Sequence, residues 1–218
     1  MAERPIFLPC QVDSPLVSTV IVPFTWHAGL SLQQARRSIA SLHEAARQRL
    51  RISSVLEISS KSEDPLGVEL SAFNLLLASP SGGQSFSVEC AFQSSKVFEH
   101  GGPYEDLLAK SSRDAKTDPR LKESGSLVKF RFFRQDWPLE PLTAFYDWLY
   151  MSALHQHPRL AAHVLSQEAF SDIVFNPQKS LNCQARAAAL YVSLERRGLL
   201  TPDLLSDQRA YLDVVKNA

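Results

Sequence analysis

The segment FSVECAFQSSKVF, residues 86–98, carries a carboxylate, an amide and an amine at intervals of four and three: Glu89, Gln93 and Lys96. On an α-helix these are positions i, i+4 and i+7 on one face, while Val88, Ala91 and Phe92 take neighbouring positions suited to packing. Helical side chains lean toward the N-terminus, so Lys96 would reach back toward a group held near Glu89 across backbones ~10 Å apart. A carboxylate there can supply negative charge or move a proton, and a deprotonated lysine is a nucleophile toward a carbonyl carbon. The same spacing also has a structural use, with Glu89 complementing the helix dipole in the first turn and Lys96 in the last.

Other residues fit an anionic ligand. Residues 110–134 hold eight basic side chains (Lys110, Arg113, Lys116, Arg120, Lys122, Lys129, Arg131, Arg134) against three acids (Asp114, Asp118, Glu123). Such a run suits a pyrophosphate or a DNA backbone, Arg131 included, and is equally a solvated surface. Ser180, Leu181 and Asn182 are placed to open a helix whose free N–H groups could meet phosphate, or to cap it. Trp137 can stack on a base or pack in a core, whereas Trp148 falls in a core pattern. His155 and His157 do not share a helical face and lack carboxylates or thiols at ligand spacing, so no metal site and no cofactor are expected. GxSxG, Walker and GxGxxG strings are absent.

The elements that must position these residues follow from periodicity and punctuation. Ser31 and Gln34 resemble a capping box, and Leu32, Ala35, Ile39, Leu42 and Ala46 recur at helical spacing, predicting a helix over about 32–50. A short apolar run, Val17 to Val22, precedes it. Val55–Ile58 and Val68–Leu77 read as strands, with turn residues Ser62 to Gly67 between them and Pro80, Gly82 and Gly83 after, predicting a hairpin. Ser87 would cap a helix running to about Phe98, and Pro103 would start another. Leu142, Phe145, Tyr146, Leu149, Ala153 and Leu154 mark an amphipathic helix, and Pro158 opens the next. A helix capped by Ser180 should close with Arg196 and Arg197 before Gly198, and a last one starts at Thr201-Pro202. The expected class is α+β with a helical majority, residues 1–54 forming an N-terminal elaboration on a compact unit from 55 to 218.

At 218 residues, 44% hydrophobic and 21% charged, the chain can bury a sizeable core, and disorder is excluded. Lys plus Arg and Asp plus Glu each total 23, so any polyanion site must be local. No apolar stretch approaches the ~20 residues of a membrane helix, no signal-peptide core opens the sequence, and a cytoplasmic protein is expected. Cys10, Cys90 and Cys183 are read as reduced thiols.

The string SVECAFQSSKVF is similar to the SVEHYFQAQKF signature of NADAR (YbiA-like) proteins, with Cys90-Ala91 where the family has His-Tyr. Later segments follow in family order: FRFFRQDWPLEP resembles the Arg-x-Asp-Trp region, ALHQHPRLAAHVL the Asn-Pro-bearing helix, and FSDIVFNPQKSLNCQARAAALYVSLERR the terminal Asp and Leu-rich helix. The likeness spans roughly 55–197. With the leader FTWHAGLSLQQARRSIASLHEAA it resembles the NADAR subgroup paired with DarT-type DNA ADP-ribosyltransferase toxins. This resemblance implies an antitoxin that removes ADP-ribose from guanine in single-stranded DNA. Glu89 and Lys96 would then be catalytic, and Gln93, Arg131, Trp137, Asp172, Ser180 and Asn182 would bind substrate. Other members of the family imply an alternative, an N-glycosidase for a phosphorylated riboflavin-pathway intermediate; a non-catalytic ADP-ribose or toxin-binding module is a third reading.

Overall fold

The computed structural model describes residues 2–11, 15–79 and 82–216; Pro80, read above as a turn residue, lies outside them. The chain begins with strands β1 (Ala2–Pro9) and β2 (Val17–Phe24), helix α1 (Leu32–Leu50), β3 (Val55–Glu57), α2 (Pro65–Glu69), β4 (Leu76–Ala78) and β5 (Ser85–Ser87). There follow α3 (Val88–Ser94), β6 (Lys96–Phe98), a 3-10 turn (Glu105–Ala109), α4 (Ser112–Thr117), α5 (Arg120–Glu123), β7 (Leu127–Phe132) and β8 (Gln135–Trp137). The chain continues through α6 (Ala144–His155), α7 (Pro158–Leu165), β9 (Ala169–Ser171), α8 (Gln184–Arg196), α9 (Pro202–Ser206) and α10 (Gln208–Lys216). The class is α+β with helix predominating, as the sequence pattern predicts.

The principal sheet has the order β2-β1-β9-β3. β1 pairs antiparallel with β2, β9 joins β1 at Phe7↔Phe170, and β3 runs parallel to β9 with Glu57 opposite Ser171. The expected capping box is present at Ser31 and Gln34, and α1 lays Ile39, Leu42 and Ala46 on Ile6, Val22, Phe24 and Ala169 of this sheet. A larger core gathers around α6 and α8. Ala185, Ala187, Ala188 and Ala189 are fully buried on α8, short side chains that favour the helix and admit close neighbours. Phe145 stacks on Phe130 at 4.7 Å and tilts toward Trp137 at 5.4 Å; burying one such ring contributes about 1.5–3 kcal/mol.

Four local expectations are corrected. Residues 55–77 do not form a hairpin: β3 pairs with β9, and the presumed turn at Asp64-Pro65 starts α2, Asp64 accepting from the Leu66 N–H at 2.8 Å. An Asp cap followed by proline at the first helical position is a helix start as much as a turn. The hairpin of this region is β4–β5, with Leu76 opposite Ser87. Second, α3 stops at Ser94 instead of reaching Phe98. The hydroxyls of Ser94 and Ser95 donate to the Ala91 carbonyl at 3.0 and 2.7 Å, competing with the helical backbone. Lys96-Val97-Phe98 then pair with β7. Third, Pro103 precedes only a 3-10 turn that begins at Glu105. Fourth, α8 starts at Gln184 with Cys183 at its N-cap, so Ser180 caps no helix. α8 does end at Arg196, with Gly198 at φ 66°.

Candidate functional site

Ser87 caps α3 by accepting from the Cys90 N–H at 3.1 Å, which places Glu89 in the first turn. Glu89 is buried, its backbone N–H donates to the Ala72 carbonyl at 2.9 Å, and its Oε1 accepts from Gln93 Nε2 at 2.8 Å. The Gln93 Oε1 is buried and has no hydrogen-bond partner among the described residues. Lys96 reaches the same place from β6, its Nζ 4.8 Å from the centre of the Phe92 ring. Burial pushes its pKa down; the Glu89 charge opposes that shift and the Lys116 charge adds to it. A lysine so placed gives up its proton more readily than a solvated one.

These residues form one wall of a cavity of about 580 Å³. The walls also carry Lys61, Lys116 and Lys179, so four lysines face a space whose lining carboxylates are Glu89 and Asp172. Lys116 Nζ stands 3.7 Å from Glu89 Oε1 and 5.0 Å from the centre of the Phe73 ring. Tyr146 completes the wall behind α3, edge-on to Phe92 at 5.2 Å, its hydroxyl pKa raised by burial and by Glu89. Ser71 contributes a second buried oxygen that has no hydrogen-bond partner among the described residues. Among the described residues no three His, Cys, Asp or Glu side chains gather to hold a metal.

The opposite wall is fixed by one side chain. Gln184 at the start of α8 donates to the Ile58 carbonyl at 2.6 Å and to Asp172 Oδ2 at 3.1 Å, while its Oε1 accepts from the Ala72 N–H at 2.6 Å. Asp172 Oδ1 accepts from the Val174 and Phe175 N–H groups at 3.0 and 3.2 Å. Burial, and the charge of Glu57 behind it, push the Asp172 pKa up to about 7 against those hydrogen bonds. Glu57 is itself buried and its pKa raised by burial; it accepts from Ser59 Oγ at 2.7 Å, the Ile173 N–H at 2.9 Å and the Ser171 hydroxyl. His43 of α1 meets that hydroxyl at 2.8 Å. Burial, then Arg47, lowers the His43 pKa to about 4, so the network is entered from α1 by a neutral imidazole.

Of the residues singled out in the sequence, Glu89, Gln93, Lys96, Asp172, Ser180 and Asn182 all line this cavity. Arg131 and Trp137 do not. Arg131 lies on the exposed face of β7 and donates to Asp136 Oδ1 at 2.6 Å. Trp137 is 1% exposed and packs against Trp148 at 4.6 Å, inside the aromatic core. Of the basic segment, only Lys116 reaches the cavity. The sequence reading missed Gln184, Tyr146, Lys61 and Lys179. Glu57 had a legible signal, an acid inside the apolar run VLEI, since a buried carboxylate must be hydrogen-bonded. Gln184 had none.

No helix among the described residues is long and apolar enough to cross a membrane. Among curated proteins, none matches the chain. The family model described as DarT1-associated NADAR antitoxin matches residues 2–218, spanning the leader as well as the cavity-forming part. The protein therefore belongs to the family of DarT1-associated NADAR antitoxins.

Proposed function

We propose that the protein is an ADP-ribosyl glycohydrolase that removes ADP-ribose from guanine bases in single-stranded DNA, and that it opposes its DarT-type toxin in this way. The observation that carries the reading is the convergence of Glu89, Gln93 and Lys96 on one cavity wall with three more lysines around it. Lysines suit the pyrophosphate of ADP-ribose. A carboxylate and an amine deprived of water suit its reacting ribose. Glu89 holds negative charge beside the anomeric carbon as the glycosidic bond weakens, and Gln93 keeps that carboxylate oriented.

When the ribose ring opens, the C1–O4′ bond breaks, O4′ takes the proton of the guanine nitrogen, and C1 is left doubly bonded to that nitrogen, electrophilic toward the neutral Lys96 amine. Nζ adds to C1, the bond from C1 to the guanine nitrogen breaks, and the base leaves as its amine with the two protons that Nζ gives up. One water then hydrolyses the C1=Nζ imine, returning the lysine and releasing ADP-ribose. Asp172, Ser180 and Asn182 on the opposite wall bind the remainder of the ligand. The protein acts in the cytoplasm, where its substrate DNA lies.

The test is release of ADP-ribose from modified guanine-containing single-stranded DNA by substoichiometric protein. Many turnovers per molecule are expected. Loss of the modification only in proportion to added protein would make it a binding module. Inactivity on DNA with cleavage of a phosphorylated riboflavin precursor would make it an N-glycosidase of that pathway.

A further inference from the structure

Outward from the cavity the surface continues as two further grooves. Phe73 lines both the cavity and the first groove, a depression of about 630 Å³ that also touches β5 and the segment before α4. Leu108 lines both that groove and a second one of about 230 Å³ beside the β7–β8 turn. Two aromatic faces lie along this route: Phe73, 37% exposed, and Phe133, 42% exposed and stacked on Phe86 at 6.0 Å. Three cations accompany them. Lys116 stands beside Phe73, Arg113 lines the first groove and Arg134 the second, and neither arginine makes an ion pair among the described residues. Glu105 is the carboxylate of the second groove; Lys110 and Arg131 also line the route but are committed to Asp118 and Asp136.

The turn that presents Phe133 and Arg134 is strained. Their φ angles are 43° and 67°, left-handed for two residues with bulky side chains. A two-residue hairpin turn with both angles positive is relaxed with Asn-Gly. Here a ring and a guanidinium are held outward instead, braced by Phe132 and Phe86. Strain kept at an exposed tip is a reason to look for use.

We propose that this route is the track of the single DNA strand leaving the cavity, its bases stacking on Phe73 and Phe133 and its phosphates meeting Lys116, Arg113 and Arg134. The proposal rests on the DNA reading of the cavity and names the contacts made outside it. Rings interspersed with cations, Arg113 and Arg134 without an ion pair among the described residues and Lys116 at 3.7 Å from Glu89, match a polymer that alternates bases with phosphates, and such stacking is tolerant of sequence.

Fluorescence anisotropy with a labelled, unmodified oligothymidine of about 12 nucleotides tests it. Phe133→Ala and Arg134→Ala should each weaken binding about tenfold, and Arg134→Ala should also reduce the slope of log affinity on log salt by about 0.7. The double variant Phe133→Asn, Arg134→Gly relaxes the turn, so it should melt higher than the wild type while binding the strand worse. Wild-type affinity in these variants, or no oligothymidine binding by the wild type at low salt, overturns the track. So does retained strand affinity with lost affinity for the toxin, which would make the surface a protein interface. On a substrate trimmed to the modified nucleotide alone, the turn variants should release ADP-ribose at the wild-type rate. A wild type that releases none refutes the cavity reading and leaves the oligothymidine result standing.

Discussion

The cavity wall and the segment 110–134 are both rich in basic residues, and the structure treats their charge in opposite ways. In the segment, Arg120 donates to Asp118 at 2.8 Å and to Asp106 at 2.7 Å, Lys110 pairs with Asp118 at 3.1 Å, and Lys129 and Arg131 each meet Asp136 at 2.6 Å. Two of those acids, Asp106 and Asp136, stand just outside the segment, so a count within it overstates its field. Around the cavity, Lys61, Lys96 and Lys179 make no ion pair among the described residues, and Lys116 stands 3.7 Å from its carboxylate. Charge is available to a ligand where no acid of the chain has already claimed it. Proximity in sequence is a poor guide to that.

The largest expected effect tests whether the cavity amine acts as a nucleophile or only as a charge. Lys96→Arg keeps the charge but cannot become a neutral amine, so turnover should fall to background, and borohydride added during turnover should attach ADP-ribose to the wild type alone. Wild-type turnover in that variant would make Lys96 an electrostatic clamp like its neighbours. Glu89→Gln should fold normally and lose about 10²–10⁴-fold in rate. A variant with unchanged rate would place Glu89 among structural caps.

Two smaller effects follow from protonation. A nucleophilic Lys96 would have to be neutral, and burial lowers its pKa, so kcat/KM should rise with pH along a limb centred below the ~10.4 of a free lysine. The Lys116 charge helps that lowering, so Lys116→Met should move the limb to higher pH. Asp172 adds negative charge to the cavity only once it ionises. Affinity for ADP-ribose, followed by calorimetry, should therefore weaken severalfold as pH rises through about 7, and Asp172→Asn should flatten the profile. The smallest effect belongs to the segment: Lys129→Ala, with its partner acid still held by Arg131, should leave both turnover and melting temperature at wild-type values. A large loss there would mean that paired surface charge also serves the substrate.

Local signals were legible in the sequence and long-range ones were not. The Ser31 and Gln34 box located α1 because both partners sit within one turn. The Arg-Gly end of α8 was readable for the same reason. The Glu89, Gln93 and Lys96 face was found by assuming a helix to Phe98, yet α3 ends at Ser94 and Lys96 arrives on a strand. The three still line one cavity, because β6 leaves the end of α3 directly and pairs with β7 beside it. The β3–β9 pairing joins residues more than a hundred apart, and no spacing rule reaches that far. The same holds for Gln184, whose three partners lie at positions 58, 72 and 172.

The sheet order sets when the protein becomes competent during its own synthesis. Strand β9 lies between β1 and β3, and Gln184 fastens Asp172 only after α8 begins. A nascent chain that has left the ribosome through β6 includes Glu89 and Lys96 but lacks the Asp172 wall and the strand that joins β1 to β3. Long sequence separation between pairing strands also slows folding. The antitoxin is therefore finished late, and a toxin partner translated beforehand would have a head start on it.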